Sequence, residues 1–254
     1  MQPWLDFTGK TALVTGAASG IGAACARFLA EQGVAALVLT DIDETALEAL
    51  DLPCETKLVA GDVGDPGHWE QVAWHLDGLD HAVLNAGVAS GSPIAETDFA
   101  EWRRVLGTNL DGAFLSLRET LRAIRDGGSV VLTASISGAK AEPGTAAYGA
   151  SKAGVIQLMK VAAKEGAPRG VRVNAIAPGG VDTPIWDHTP FFRDLVTQHG
   201  GDRAAALAAM ARMATPLGRY ATADEIAAQI AFLLSDAAAT ITGAVLASDG
   251  GYSL

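Results

Sequence analysis

The chain has 254 residues, 49% of them hydrophobic and 19% charged, and a formal net charge of −11. That length and apolar content allow a large core in one α/β domain or two small ones, and exclude a disordered chain. Lys and Arg are scattered rather than gathered, so no nucleic-acid partner is expected, and the acidity favours solubility.

Two cysteines, Cys25 in a predicted helix and Cys54 in a loop, suggest no disulfide scaffold and fit a reducing, cytoplasmic compartment. The five histidines (68, 75, 81, 188 and 199) form no metal-ligand spacing, so no metal is expected. His68 and His75 share a helix face and read as surface residues. The start, Met1-Gln2-Pro3-Trp4-Leu5-Asp6, has no basic-then-apolar pattern, so no signal peptide is read. No apolar stretch approaches about 20 residues, so no membrane span is read.

In chain order, apolar β-branched or Leu-rich runs predict strands over 11–15, 35–40, 56–60, 81–84, 129–134, 171–177 and 244–248. Such runs suit strands buried on both faces of a parallel sheet. Helical patterns fall at 21–32, 44–50, 68–76, 99–125, 147–166 and 223–234, and 203–213 is helix-forming. The alternation predicts an α/β fold: a doubly wound, Rossmann-type parallel sheet of about seven strands with helices on both faces, in one domain over 1–254.

The first strand runs into Thr15-Gly16-Ala17-Ala18-Ser19-Gly20-Ile21-Gly22 and a helix follows at once. Glycines there permit a tight turn and close approach of a pyrophosphate to the helix N-terminus, though the spacing differs from G-x-G-x-x-G. No G-K-[ST] follows, so it is not a P-loop. Asp41 ends the second strand, where a carboxylate can bind ribose hydroxyls and repel a 2′-phosphate. Asp41 could instead cap the next helix, a role that Asp43 also suits.

Gly61-Asp62-Val63 and Asn85-Ala86-Gly87 follow the third and fourth strands, at carboxyl ends where open α/β sheets bind ligands. Asn109 lies mid-helix, where an asparagine is unfavourable without partners and usually faces solvent. Ser135 ends the fifth strand. Tyr148 and Lys152 stand four apart on one helix face. A phenol titrates near 10, and a fixed ammonium nearby favours the phenolate, so the pair can move a proton to or from an alcohol or carbonyl oxygen. Alone, such a pair is far more often an ordinary contact on a solvated face.

Taken together, Thr-Gly-xxx-Gly-Ile-Gly, Asp62, Asn85-Ala86-Gly87, Asn109, Ser135, Tyr148-xxx-Lys152, Asn174 and Pro178-Gly179 resemble the short-chain dehydrogenase/reductase family from about 10 to 252. The resemblance implies a catalytic tetrad of Asn109, Ser135, Tyr148 and Lys152. It implies a pyrophosphate turn over Gly16, Ser19, Gly20, Ile21 and Gly22, with Asp62 and Val63 flanking the adenine. Asn85, Ala86 and Gly87 would border the adenosine ribose, and Pro178, Gly179, Val181 and Thr183 the nicotinamide carboxamide. One departure is Leu84, where the family often has an asparagine.

The implied reaction interconverts a secondary alcohol and a ketone by hydride transfer with a nicotinamide cofactor. Asp41 points to NAD. Lys152 would lower the Tyr148 pKa and bond the nicotinamide ribose, Ser135 would bond the substrate oxygen, and Asn109 would hold a relay water. The segment 183–213, with Pro184, Ile185, Trp186, His188, Pro190, Phe191 and Phe192, either folds over a hydrophobic or cyclic substrate or is a packing segment. Arg193 could anchor a carboxylate. A homotetramer is implied, paired through helices 99–125 and 147–166.

Three rivals stand beside this reading. An acyl-thioester ketoreductase would favour the phosphorylated cofactor and a basic docking surface. A non-catalytic dinucleotide-binding protein would commonly have lost the Tyr or Lys. An epimerase or dehydratase relative is typically longer.

Overall fold

The computed structural model describes residues 5–254, with the backbone alone at His188 and Pro190. The chain alternates β1 (Thr11–Thr15), α1 (Gly20–Glu31), β2 (Ala36–Asp41), α2 (Glu44–Glu48), β3 (Glu55–Ala60), α3 (Pro66–Ala73) and β4 (Leu79–Leu84). Next come α4 (Phe99–Leu106), α5 (Gly112–Ala123), β5 (Ile124–Thr133), α6 (Ala146–Gly166), β6 (Arg172–Pro178) and the short β7 (Val181–Asp182). Then α7 (Pro190–Gln198), α8 (Arg203–Ala214), the short β8 (Ala221–Thr222), α9 (Ala223–Leu234) and β9 (Val245–Ser248) follow.

One sheet runs β3-β2-β1-β4-β5-β6-β9 with every pairing parallel. The chain winds outward from β1 to β3, then restarts at β4 on the other side of β1. The strand order therefore reverses between β1 and β4, and a crevice opens there at the carboxyl ends. Successive strand residues point to opposite faces. Val14 and Leu39 meet Leu29 of α1 and Ile230 of α9 on one side, while Leu13 and Val38 join the core of Trp69 from α3, Leu117 from α5 and Met159 from α6 on the other. Each such buried side chain contributes about 1.5–3 kcal/mol relative to an exposed one.

The expected helix over 99–125 is corrected twice. One turn of π-helix, Gly107–Asp111, separates α4 from α5, and the helix stops at Ala123 because Ile124 is drawn into β5 opposite Leu79. The parallel pair β7–β8, Val181↔Ala221 and Asp182↔Thr222, had no signal in the sequence. His68 is also corrected: it is 3% exposed, and its Nε2 lies 2.8 Å from the Thr40 hydroxyl. His75 is exposed as expected.

Candidate active site

The glycine turn is built by backbone demands. Gly16 adopts φ +64°, and a Cβ there would meet the Ala86 Cα at 2.9 Å. A Cβ on Gly22 would run into the Gly16 carbonyl, so the start of α1 packs directly on the turn. Ser19, exposed at the N-cap of α1, makes no side-chain cap hydrogen bond, so its hydroxyl is not spent on the helix start. Thr15 holds the turn against β4: its Oγ1 accepts from the N–H groups of Asn85 (2.9 Å) and Ala86 (3.0 Å), and the Asn85 amide donates to the Thr15 carbonyl at 3.3 Å.

Asp41 is half-buried at the end of β2, and its two oxygens accept from Ala18 N (3.0 Å) and Asp43 N (3.1 Å). The capping alternative falls to Asp43, which accepts from Ala46 N as the N-cap of α2. Asp62 is exposed and accepts from Gly64 N at 2.8 Å, while Val63 is buried against Gly112. On the far side of the crevice, Thr183 is buried and lies 3.4 Å from where a Gly20 Cβ would stand. Gly179 N donates to the Ser248 carbonyl at 3.0 Å, and a Cβ there would meet Asp249, so the loop after β6 is seated on β9.

Asn109 does not face solvent: it is fully buried. Its Oδ1 accepts from Val88 N at 2.8 Å, and its Nδ2 donates to the Val88 carbonyl (2.9 Å) and the Ser151 hydroxyl (3.1 Å). The wide turn of π-helix brings that amide inward; such turns recur at functional sites. Gly87 sits between the two polar groups, since a Cβ there would lie 3.3 Å from both Asn109 Oδ1 and Lys152 Nζ. With both amide protons of Asn109 used, its side chain ties the loop at Val88 to the helix at Ser151.

Ser135, 6% exposed, lies at the end of β5; its hydroxyl accepts from Ser137 N at 3.2 Å and lies 3.5 Å from the Pro178 carbonyl. Lys152 is buried, donates to the Thr133 carbonyl at 2.8 Å, and holds its Nζ 5.8 Å from the centre of the Tyr148 ring. Burial pulls the Lys152 ammonium down to about 8. Burial pushes the half-buried Tyr148 phenol above its ordinary value, and the Ser135 hydroxyl acts in the opposite direction. The expected direction is downward; here burial outweighs the one opposing contact, the Ser135 hydroxyl. A bound nicotinamide ring would add positive charge to the same site.

Ser151 was missed in the sequence, where it reads as an ordinary helix residue. It is fully buried, accepts from Asn109 and donates to the Tyr148 carbonyl at 2.7 Å. His68 was missed as well; a Cβ on Gly61 would strike its ring, so Gly61 and His68 fit only together at the end of β3. The signal available was small: a glycine directly before Asp62, and a histidine on the helix that follows.

The segment after β7 divides its aromatics. Phe192 is 1% exposed, packed with Ala206, Leu207, Met210, Trp186 and Tyr220, whereas Phe191 is 64% exposed. The side chains of His188 and Pro190 lie outside the described residues, and Arg193 is exposed.

The family model described as enoyl-(acyl carrier protein) reductase matches residues 16–253. The chain is 41% identical to cis-4-hydroxycyclohexanecarboxylate dehydrogenase of Sinomonas cyclohexanicum, over 97% of this chain and 98% of that protein. This chain belongs to the short-chain dehydrogenase/reductase family. Among solved structures of the family, levodione reductase matches with a TM-score of 0.85 at 34% identity, over 97% of this chain and 98% of that one. The L-sorbose reductase of Gluconobacter frateurii, solved with NADPH and L-sorbose, matches at 0.89 with 29% identity over 98% of both. As a short-chain dehydrogenase/reductase the protein binds a nicotinamide dinucleotide and is an oxidoreductase of alcohols and ketones. The open glycine turn and the uncapped Ser19 hydroxyl fit such a group. Among the described residues, no helix is long and apolar enough to cross a membrane.

Proposed function

We propose that the protein is an NAD-preferring dehydrogenase/reductase that interconverts a secondary alcohol and a ketone on a hydrophobic, cyclic substrate. The observation that carries this is the convergence of Ser135, Tyr148 and Lys152 at the carboxyl rim of β5, with the Ser135 hydroxyl beside the phenol and Lys152 buried behind the ring.

When bound, the cofactor supplies hydride exchange at C4 of its nicotinamide ring. Tyr148 takes the alcohol proton in oxidation and returns it in reduction. Ser135 donates to the substrate oxygen, stabilising the charge that develops there. Lys152 has donors to spare beyond Thr133 and holds the nicotinamide ribose, while its charge favours the phenolate once the site is closed. Asn109 positions these groups by fixing the loop at Val88 to the helix that carries Tyr148 and Lys152. Gly16, Ser19, Gly20, Ile21 and Gly22 hold the pyrophosphate; Asp62, Val63, Asn85, Ala86 and Gly87 line the adenosine end; Pro178, Gly179, Val181 and Thr183 hold the carboxamide.

Asp41 supports NAD: a half-buried carboxylate at the ribose disfavours a 2′-phosphate. The exposed Ile185 and Phe191 support an apolar substrate, and the relative named for a hydroxycyclohexane supports a ring. Asp41 and a net charge of −11 count against the acyl-thioester alternative. A cytoplasmic homotetramer completes the proposal. Phe99 and Phe114 on α4 and α5, and Ala150, Ala153 and Val161 on α6, remain exposed, and symmetric association buries such faces. A monomer in sedimentation at micromolar concentration overturns the tetramer. A panel of cyclic and open-chain secondary alcohols and ketones, read by absorbance of the reduced cofactor with NAD and NADP, tests the activity. Turnover on none of them overturns it.

A further inference from the structure

The guanidinium of Arg203, in the first turn of α8, spends each of its nitrogens on β7 and the stretch that leads to α7. Nη1 donates to Asp182 Oδ1 at 2.7 Å, Nε donates to Asp187 Oδ1 at 2.8 Å, and Nη2 donates to the Thr183 carbonyl at 3.0 Å. Its plane also lies 5.7 Å from the centre of the buried Phe192 ring. Phe192 leads on to Trp186 at 6.1 Å, and Trp186 stacks on Tyr220 at 5.8 Å with 5° between the rings. Tyr220 in turn fills the space where a Gly180 Cβ would stand, and the Trp186 indole donates to the Val181 carbonyl at 2.8 Å.

A continuous column thus runs from Arg203 through three aromatic rings to the loop Gly179–Val181, with two hydrogen bonds to the main chain of Val181 and Thr183. Three features separate it from a general surface ion pair. The fork engages two carboxylates and a carbonyl at once through three separate nitrogens, a spread planar geometry that a compact ammonium does not match. The apolar partners pack on one another, with Phe192 fully buried and Trp186 partly so. And Arg203 and Trp186 bond Thr183 and Val181, both assigned above to the nicotinamide side of the cleft.

We infer that Arg203 and Trp186 are positioning residues for the substrate side of the reaction: they fix the segment 183–199 at one distance from the nicotinamide loop, so that Ile185 and Phe191 form the apolar wall against which the alcohol is held. The inference rests on the proposed oxidoreductase reading, and fixes which residues of the segment act through the protein and which face substrate.

The test compares wild type with Arg203→Ala, Arg203→Lys and Trp186→Phe, each with the full chain. Arg203→Ala should lower kcat/KM for the best alcohol of the panel about tenfold to a hundredfold, as misplacement of about an ångström does. The dissociation constant for the cofactor alone should rise no more than about threefold, through the loosened Thr183, because the glycine turn and Asp41 are untouched. Arg203→Lys, which keeps the charge and loses the fork, should recover only part of the loss. Trp186→Phe keeps a ring and loses the bond to Val181, and should fall between wild type and Arg203→Ala. Amide hydrogen exchange, which needs no turnover, should rise in Arg203→Ala over 183–199 and nowhere else.

Unchanged exchange over 183–199 overturns the inference. So does exchange raised throughout the chain, or cofactor affinity lost in step with kcat/KM, since either marks a merely structural role. If wild type turns over no alcohol or ketone, the functional reading fails and with it the assigned role; a local rise in exchange then retains only the mechanical tie.

Discussion

Asn109 and Ser151 stand 42 residues apart and meet at 3.1 Å in a fully buried hydrogen bond, beside the helix turn that carries Tyr148. Ser151 passes the contact on to the Tyr148 carbonyl, so the π-helical turn and the start of α6 are one hydrogen-bonded unit. Ser151→Ala removes the acceptor and leaves a buried amide proton without a partner. The expected cost is about 1–3 kcal/mol of stability in urea unfolding, with lower turnover because Asn109 is no longer held. An unchanged unfolding midpoint would show that Asn109 finds another partner.

Tyr148→Phe keeps the ring and removes the proton carrier. Turnover should fall by orders of magnitude while cofactor affinity changes little; near-normal turnover refutes the mechanism. The pH dependence follows from the same group. Burial holds the phenol above its ordinary value in the cofactor-free protein, so the phenolate there appears only at alkaline pH. Oxidation needs the phenolate and should rise with pH; reduction needs the phenol and should fall. With oxidised cofactor bound, the added positive charge should bring the kinetic pKa below the phenol pKa of the free protein. The check sets the pH profile of kcat/KM at saturating cofactor against the tyrosinate absorbance difference between wild type and Tyr148→Phe.

Lys152 makes a prediction about stability. Its ammonium falls from an ordinary 10.5 to about 8 on burial, so between those values the unfolded chain binds more protons than the folded one. Its contribution to stability therefore rises with pH across that window, and the charged form counts against folding below it. Lys152→Met should unfold at pH 7 no more easily than wild type, and should lose the difference in slope between about pH 8 and 10.5, while turnover and cofactor binding both suffer. Urea titrations across that range measure it, and an equal slope in both proteins would count against the buried charge.

Asp41 sets the cofactor prediction. A like-charge contact with a 2′-phosphate costs several kcal/mol, or roughly a hundredfold or more in discrimination. Wild type should prefer NAD by kcat/KM. Asp41→Ala with Ile42→Arg should narrow or reverse the preference, since Ile42 is 74% exposed and an arginine there has room to meet the phosphate. A wild-type preference for NADP would defeat this reading of Asp41 and leave alcohol oxidoreduction intact.

Much of this molecule is written locally. The strand-ending turns at Gly16, Asp41, Asp62 and Asn85 are legible because a parallel sheet puts successive carboxyl ends on one rim, so order along the chain becomes adjacency in space. Tyr148 and Lys152 are legible because the helical period alone aligns them. The sequence by itself therefore determined the sheet and the rim on which these turns lie. What depended on partners far along the chain was decided only by tertiary structure. The sequence reads as one helix through 107–111 although Gly107, Thr108, Asn109 and Asp111 are weak helix formers, and the π-helical turn there coincides with the bonds from Asn109 to Val88 and Ser151. His68 looks like any helix-surface histidine until Thr40 and Gly61 close over it. Trp186 and Phe192 read the same as Ile185 and Phe191 by hydrophobicity, and only Arg203, Tyr220 and the missing Cβ of Gly180 separate the packed pair from the exposed one. The direction of the Tyr148 shift belongs here too, because desolvation is a property of everything packed around a group and not of the residue four positions along its helix.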